Sequence, residues 1–530
     1  EMNAEELKKV LGHGLFQKRI AYLLLLGALI GTAMLFGSVF VMFTPPHRCY
    51  LPEIDALFVE WKSFHNISFS FPEIKYKARN YRLRVIFAFT MFNIGPANNM
   101  PTNRTLVYCD HGWFFYKSNG VITAATEFEL VCDRAWITPL FPSIQMIGFM
   151  FGSILGGIMS DRYGRRKVIL FSMTLVSASM LLMGLAPTVL MLQIGVFSYG
   201  FSIITRAVTA MVILNELLSN DKRRTFGILV SVFCGLGGCV LSVVAYCIPN
   251  WRWMTLAIAI TCTAHLPLYY CFIRDTFGWL IQNKRIKSAE KLYKEVVRVN
   301  NINVDEALLS DLKLGTKPDD DESNDVTKVE KFTYIDFVTV PFLRKRILLL
   351  SFMWFSMNMG FYGLSFNTPN LGGNRFVNAF ISSVVEIPAQ FLCFVLVKKI
   401  GCRMGFISTA GACSVCVLLT PFLQSTNQIA GVVCAMLGKF FISAPFTILY
   451  LVTGDLFPTM LRTQSYGACS FIGRVAAIIV PYVLYLGKTV HPYLPYIVIG
   501  TVTFISAIAA LLLPETTGIN LPDTLEDAKQ

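Results

Sequence analysis

The sequence predicts an all-α membrane protein with twelve transmembrane helices in two parallel six-helix halves. Composition points to a membrane: of 530 residues, 54% are hydrophobic and 15% charged, where soluble globular chains carry roughly a quarter charged. Apolar stretches long enough to cross a bilayer, ~20 residues each, recur along the chain. Landmarks of the first half also return in the second at a nearly constant offset.

The spans fall near 20–43, 139–160, 168–186, 189–214, 225–248 and 252–273, then near 347–365, 376–397, 404–423, 429–453, 465–487 and 491–513. The expected organisation is a first half over 1–273 that includes an external loop, 44–138. A linker over 274–346, a second half over 347–514 and a tail over 515–530 follow. The first apolar run exceeds a secretory signal in length and lacks a small-residue cleavage site, so it is expected to stay as a span. In the linker, Ala289, Leu292 and Val296 share a helix face, predicting a short surface helix from Ser288 to Val299. The run Asp319, Asp320, Asp321, Glu322 reads as solvated linker.

The formal charge is +13, but the Lys and Arg sit between apolar runs, so no nucleic-acid partner is expected. Short loops on one side carry Arg162, Arg165, Arg166, Lys167, Lys222, Arg223, Arg224, Lys398, Lys399, Arg403 and Arg462, against Arg252, Arg375 and Lys488 opposite. The positive-inside rule then places both termini and the linker in the cytoplasm. Both N-glycosylation sequons, at Asn66 and Asn103, fall in the loop 44–138, which the same rule puts outside. This favours the plasma membrane. Cys49, Cys109 and Cys132 lie in that loop, where one disulfide is expected with its pairing open. Cys413 and Cys416 have redox spacing but read as packing within an apolar span.

Glu216 and Arg223 recur as Asp455 and Arg462, an offset of 239. Gly164 recurs as Gly401, offset 237, and Asp275 as Glu515, offset 240. Parallel halves of this kind build a carrier whose two bundles rock about a central site. A channel or receptor has no need of the duplication.

The loop Gly157-Ile-Met-Ser-Asp161-Arg162-Tyr163-Gly164-Arg165-Arg166-Lys167 has the residue types of a gate. Asp161 can accept hydrogen bonds from arginines and helix-end amides, while Gly157 and Gly164 permit close approach and a tight turn. The loop resembles the signature loop of the major facilitator superfamily. That resemblance implies that Gly157, Asp161, Gly164 and Arg165, with the pairs Glu216–Arg223 and Asp455–Arg462, latch the inner gate. Thr126-Glu-Phe-Glu-Leu-Val-Cys132, Asn250-Trp-Arg-Trp253, Gly454-Asp-Leu-Phe-Pro-Thr-Met-Leu-Arg462 and Leu513-Pro-Glu-Thr-Thr-Gly518 further resemble the organic cation, organic anion and carnitine transporter family. The segments from Gly360 to Leu371 and from Val385 to Ala389 are most similar to its carnitine and zwitterion branch. The chain departs from the family after span six: Ile273-Arg-Asp-Thr-Phe-Gly-Trp-Leu280 keeps the acidic residue, Asp275, but not the family's proline and arginine.

Ionisable groups in mid-membrane are costly and mark candidate sites. Four occur: Arg206, Glu386, Lys439 and Arg474. Arg474 lies about 15 Å into its span by helical rise, and its guanidinium suits a carboxylate or sulfate held by two parallel hydrogen bonds. The resemblance implies an arginine here in anion and carnitine carriers and an aspartate in cation carriers. The alternative is a structural bridge to Glu386. Phe361, Tyr362, Phe446 and Tyr450 would box a quaternary ammonium or simply pack, and the resemblance makes Tyr362 and Phe446 substrate-lining. Gln390 shares a helix face with Glu386. Glu386 and Lys439 are expected either to neutralise each other or to leave Glu386 free for a proton or an amine. Arg206 would oppose sodium and favour an anion or zwitterion. Trp354, Phe355 and His265 read as packing, and Gly235, Gly237 and Gly238 as close helix contacts.

The function expected is a carrier of small organic anions or zwitterions, working by alternating access as a monomer. It would need no cofactor or metal, draw on gradients with the coupling ion left open, and catalyse no covalent chemistry. An organic cation facilitator is the alternative, and a transport-dead receptor or scaffold using the loop 44–138 a further one.

Overall fold

The computed structural model describes residues 14–49, 112–115, 120–218, 220–283, 285–301, 339–457 and 459–516. Apolar runs fold as helices because a bilayer offers no water to backbone N–H and C=O groups. Eleven described helices are long and apolar enough to cross a membrane. The first half holds α1 (Leu15–Thr32), α2 (Ile137–Tyr163), α3 (Arg165–Gly184), α4 (Val189–Leu217), α5 (Asn220–Cys247) and α6 (Trp251–Phe272). The second half opens with α7 (Pro341–Phe366) and a 52-residue stretch, Arg375–Thr426, and closes with α10 (Gln428–Leu456), α11 (Thr459–Thr489) and α12 (Leu494–Ala509). The long stretch is two spans, α8 and α9, that meet at Gly401, where φ 85° and ψ 172° break the helix. The expected twelve spans are therefore present.

The first span differs from expectation, since α1 ends at Thr32 rather than running to 43. Thr32 Oγ1 donates to the Ala28 carbonyl at 2.6 Å, a back-bond that bends helices. Beyond it the chain tightens into three-residue turns, with Leu35 N–H on Thr32 O and Gly37 N–H on Met34 O.

The repeat is visible as matched chemistry. Gly164 (φ 101°) and Gly401 (φ 85°) occupy the same turn in each half. At the first, Arg166 N–H donates to Asp275 Oδ1 at 2.8 Å. At the second, Cys402 N–H donates to Glu515 Oε1 at 2.9 Å and Arg403 N–H to Glu515 Oε2 at 3.2 Å. Each carboxylate follows the last span of its half and sits on the positive end of the third. The role expected for Gly157 in close approach is not seen, since a Cβ there would meet nothing within 4 Å. Instead Gly148, Gly152 and Gly156, one turn apart, press α2 onto α4 at Phe197, Phe201 and Thr205.

The linker helix Ile286–Asn300 buries Ala289, Leu292, Tyr293 and Val296 in a cluster with Phe16 and Ile20 of α1. Asn300 accepts from Phe16 N–H at 2.9 Å and donates to Gln17 at 2.9 Å, fastening linker to bundle. At the end of the bundle away from the basic loops, Phe376 of α8 stacks on Phe40 with centroids 5.6 Å apart and meets Tyr246 of α5 edge-on. Arg375 lies 4.0 Å from the Phe43 centroid. These contacts close the halves together at that end. The two-stranded ribbon β1 (His47–Cys49) and β2 (Trp113–Phe115) lies there; Asn66, Asn103, Cys109 and the Cys49 side chain fall outside the described residues. Glu127 accepts from Arg252 at 2.7 Å and from Trp251 Nε1 at 2.8 Å. Arg252 also donates to Gly184 and Ala186 carbonyls, tying α6 to the end of α3. Burial alone would raise the Glu127 pKa, but the Arg252 and Trp251 bonds and the Arg252 charge outweigh it and hold the carboxyl below its ordinary 4.5.

Gly401→Ala is expected to cost about 1–3 kcal/mol, because that backbone region is essentially glycine-only, and to lower the thermal unfolding midpoint; Gly157→Ala leaves the midpoint unchanged or slightly higher. A depressed folded pKa stabilises above the unfolded value of 4.5, and that share is lost as pH falls through the lower folded value. Unfolding midpoints measured from pH 7 downward are expected to fall less steeply in Glu127→Gln than in wild type.

Candidate functional site

Arg474 stands fifteen residues after Thr459, about 22 Å along the helix, which is mid-span. It is 7% exposed. Nη1 donates to Tyr362 Oη at 2.9 Å, and Cζ lies 5.3 Å from the Phe149 centroid on α2. No carboxylate among the described residues pairs with it. The bridge to Glu386 weighed from sequence is not made. Glu386 instead meets Lys439 at 2.9 Å, an ion pair whose side chains are 17% and 2% exposed. Lys439 Nζ also hydrogen-bonds Ser365 Oγ and lies 3.4 Å from the Phe361 centroid.

The aromatics form a continuous cluster, stacked between Phe361 and Phe446 and edge-to-face beyond. Phe361 and Phe446 lie 5.3 Å apart, Phe446 and Tyr450 5.8 Å, and Trp354 and Tyr450 4.5 Å. Phe36, just past α1, brings the other half to Phe361, Tyr362 and Phe366 at 6.0–6.5 Å. One face of Phe361 is thus held by the chain's own ammonium, so of the box expected for a substrate ammonium that face is already taken. Gln390 accepts from Thr447 at 2.8 Å, joining α8 to α10. Trp354, read from sequence as packing, is buried in this cluster, and its Nε1 donates to Thr453 at 3.0 Å. Phe36, Phe149 and Ser365 carried no signal in the sequence, because their relevance depends on which helices pack across the interface.

Beside Glu386 a small cavity between the halves is lined by Ser242, Ser365, Thr368, Ser382 and Ser383. Ser242, Ser365, Thr368 and Ser383 donate their protons to backbone carbonyls at 2.7–3.1 Å. Ser365 already accepts from Lys439, while the lone pairs of Ser242, Thr368 and Ser383 can accept from a positive group, beside apolar Phe36, Val39, Phe40 and Leu241.

At the basic end, Arg165 is 6% exposed. It bonds Glu216 at 2.9 Å, Asp161 at 3.1 Å and the Ser160 carbonyl at 3.1 Å. Thr276 donates to the other Glu216 oxygen, and Trp279 Nε1 to the Asp161 carbonyl at 2.7 Å. Glu216, expected with Arg223, is therefore engaged by Arg165; the side chains of Arg223 and Arg462 fall outside the described residues, and Asp455 lies near the end of α10. Arg206 is not part of the Arg474 cluster. It packs inside the first half against Gly27 and Gly31 of α1.

Two parallel six-span halves meeting at a buried guanidinium and an ion pair define a major facilitator carrier. The sequence profile of the family described as "Sugar (and other) transporter" matches residues 108–527. Relatives over nearly the whole chain include solute carrier family 22 member 21 of Mus musculus, 30% identical, covering 100% of this chain and 94% of the relative. Organic cation/carnitine transporter 2 of Homo sapiens is 30% identical over 98% and 93%, and the organic cation transporter protein of Drosophila melanogaster 30% over 97% and 92%. The inward-open xylose transporter XylE from E. coli shares the fold, with TM-score 0.56 and 16% identity over 74% of this chain and 88% of that one. The chain belongs to the organic cation, organic anion and carnitine transporter family of the major facilitator superfamily.

Glu386→Gln or Lys439→Met alone strands a buried charge or its partner and is expected to cost about 3–5 kcal/mol. The double variant is expected to recover much of that loss, read as coupling in a double-mutant cycle of unfolding free energies.

Proposed function

We propose that this protein carries a small organic anion or zwitterion, of which carnitine-like compounds are the type, across the plasma membrane by alternating access. The observation that carries the reading is Arg474: a guanidinium buried at mid-span whose only side-chain hydrogen bond among the described residues is to a neutral phenol. A cation so placed lacks the charge that would offset its desolvation, and a substrate carboxylate supplies it with two parallel hydrogen bonds. The ammonium of a zwitterion would then point to the acceptor-lined wall beside Glu386. One relative is named an organic cation/carnitine transporter, which supports a small zwitterion such as carnitine; another is named an organic cation transporter, which supports the second reading below. The closed aromatic contacts at the loop end fit a carrier open toward the basic end, and the basic loops support placing that end in the cytoplasm. In this reading Arg165, Asp161 and Glu216 are the first half's share of the inner gate, held to one another in the state seen here.

The second reading, an organic cation facilitator, is favoured by the same wall of hydroxyl lone pairs next to Glu386. Uptake of labelled carnitine, a dicarboxylate and tetraethylammonium separates the two in cells expressing wild type, Arg474→Ala and Arg474→Asp at matched surface levels. Carnitine or anion uptake is expected, reduced at least about a hundredfold by either substitution, as for a lost bidentate charge-assisted contact of ~3 kcal/mol. Entry of tetraethylammonium alone, intact in Arg474→Ala, would establish the cation reading. No flux of any of the three, at normal surface expression, would point to a receptor or scaffold.

A further inference from the structure

Arg206 poses a separate electrostatic problem in the first half. It lies eleven residues before Leu217 at the end of α4, about 16 Å by helical rise, and is 2% exposed. We propose that Arg206 forms an anion site distinct from Arg474, taking a small monovalent anion of the halide class.

The site is built for the guanidinium. A Cβ on Gly31 would lie 3.1 Å from Nη2 and 3.3 Å from Nε, and one on Gly27 would lie 3.3 Å from Nη1. Two bare positions one turn apart on α1 thus open the space the arginine fills. Its surroundings are neutral. The Tyr269 hydroxyl of α6 donates to the Leu23 carbonyl at 3.3 Å and lies beside the guanidinium over Gly27. The Tyr199 hydroxyl is spent on the Gly31 carbonyl at 2.7 Å. Cys234 of α5 and Cys262 of α6 also feel the Arg206 charge, and Cys234 feels that of Glu386 as well. Among the described residues Arg206 makes no ion pair, and its buried Nε–H has no hydrogen-bond partner.

Charge balance points the same way. The buried mid-span groups are Arg206, Arg474 and Lys439 against Glu386, three positive and one negative, a net of +2. On the proposed function, a substrate carboxylate at Arg474 neutralises one of these, and Arg206 remains. A carboxylate needs two parallel N–H groups, whereas the single unpartnered Nε–H of Arg206 suits a monatomic anion.

The test reads binding without transport, so it stands or falls separately from the uptake experiment. Purified full-length protein is unfolded thermally in potassium chloride, bromide or gluconate at constant ionic strength. Chloride and bromide are expected to raise the wild-type midpoint saturably over gluconate, Arg206→Gln to lose that rise, and Arg474→Ala to keep it. Should Arg206→Gln not fold, Arg206→Lys keeps the charge but loses the Nε–H geometry and is expected to weaken halide affinity about tenfold or more. No halide effect on wild type, a full effect surviving either Arg206 substitution, or one lost only in Arg474→Ala overturns the proposal.

Discussion

Moving an ion from water into a low-dielectric interior costs several kcal/mol even after relaxation, and among the described residues the middle of this bundle holds four such groups. Each is handled differently. Lys439 and Glu386 spend their charge on one another and on the Phe361 face. Arg474 is held in place by Tyr362 and Phe149 but not neutralised, and Arg206 sits among phenols and thiols. Among the described residues neither arginine has a carboxylate partner, so the interior favours negative charge.

The basic end is arranged differently. Arg165 bonds Glu216, Asp161 and a helix carbonyl together; the Asp161 carboxylate is 75% exposed, whereas the Glu216 pair is largely shielded from water. The carboxylates Asp275 and Glu515 are more deeply committed. Each caps the third helix of its half across a glycine whose positive φ no other residue adopts cheaply. The same device at both sites ties the segment after the last span of each half to the start of its third span.

Much of the architecture was legible in the sequence because its signals are local. Hydropathy over ~20 residues marks a span whatever it packs against, and offsets of 237–240 mark a repeat. The linker helix was readable from three apolar positions on one face. Gly157 and the first span were misjudged for the same reason in reverse. A glycine's use depends on what lies opposite it, and α2 turns Gly148, Gly152 and Gly156 toward α4 instead. A helix's end depends on its own hydroxyls and turns, which hydropathy does not register.

By itself the sequence determined that the chain spans a membrane twelve times in two related halves and that it places Arg206, Glu386, Lys439 and Arg474 in apolar surroundings. Spacing along one helix fixes depth, so it also placed Arg474 near mid-span. Only the tertiary structure decided which of these charges are neutralised. Pairing turns on a few ångströms between helices far apart in the chain, as with Glu386 and Lys439, 2.9 Å apart across α8 and α10. For the same reason it alone separated Arg206 from Arg474, since side chains at similar depth in different halves face different neighbours.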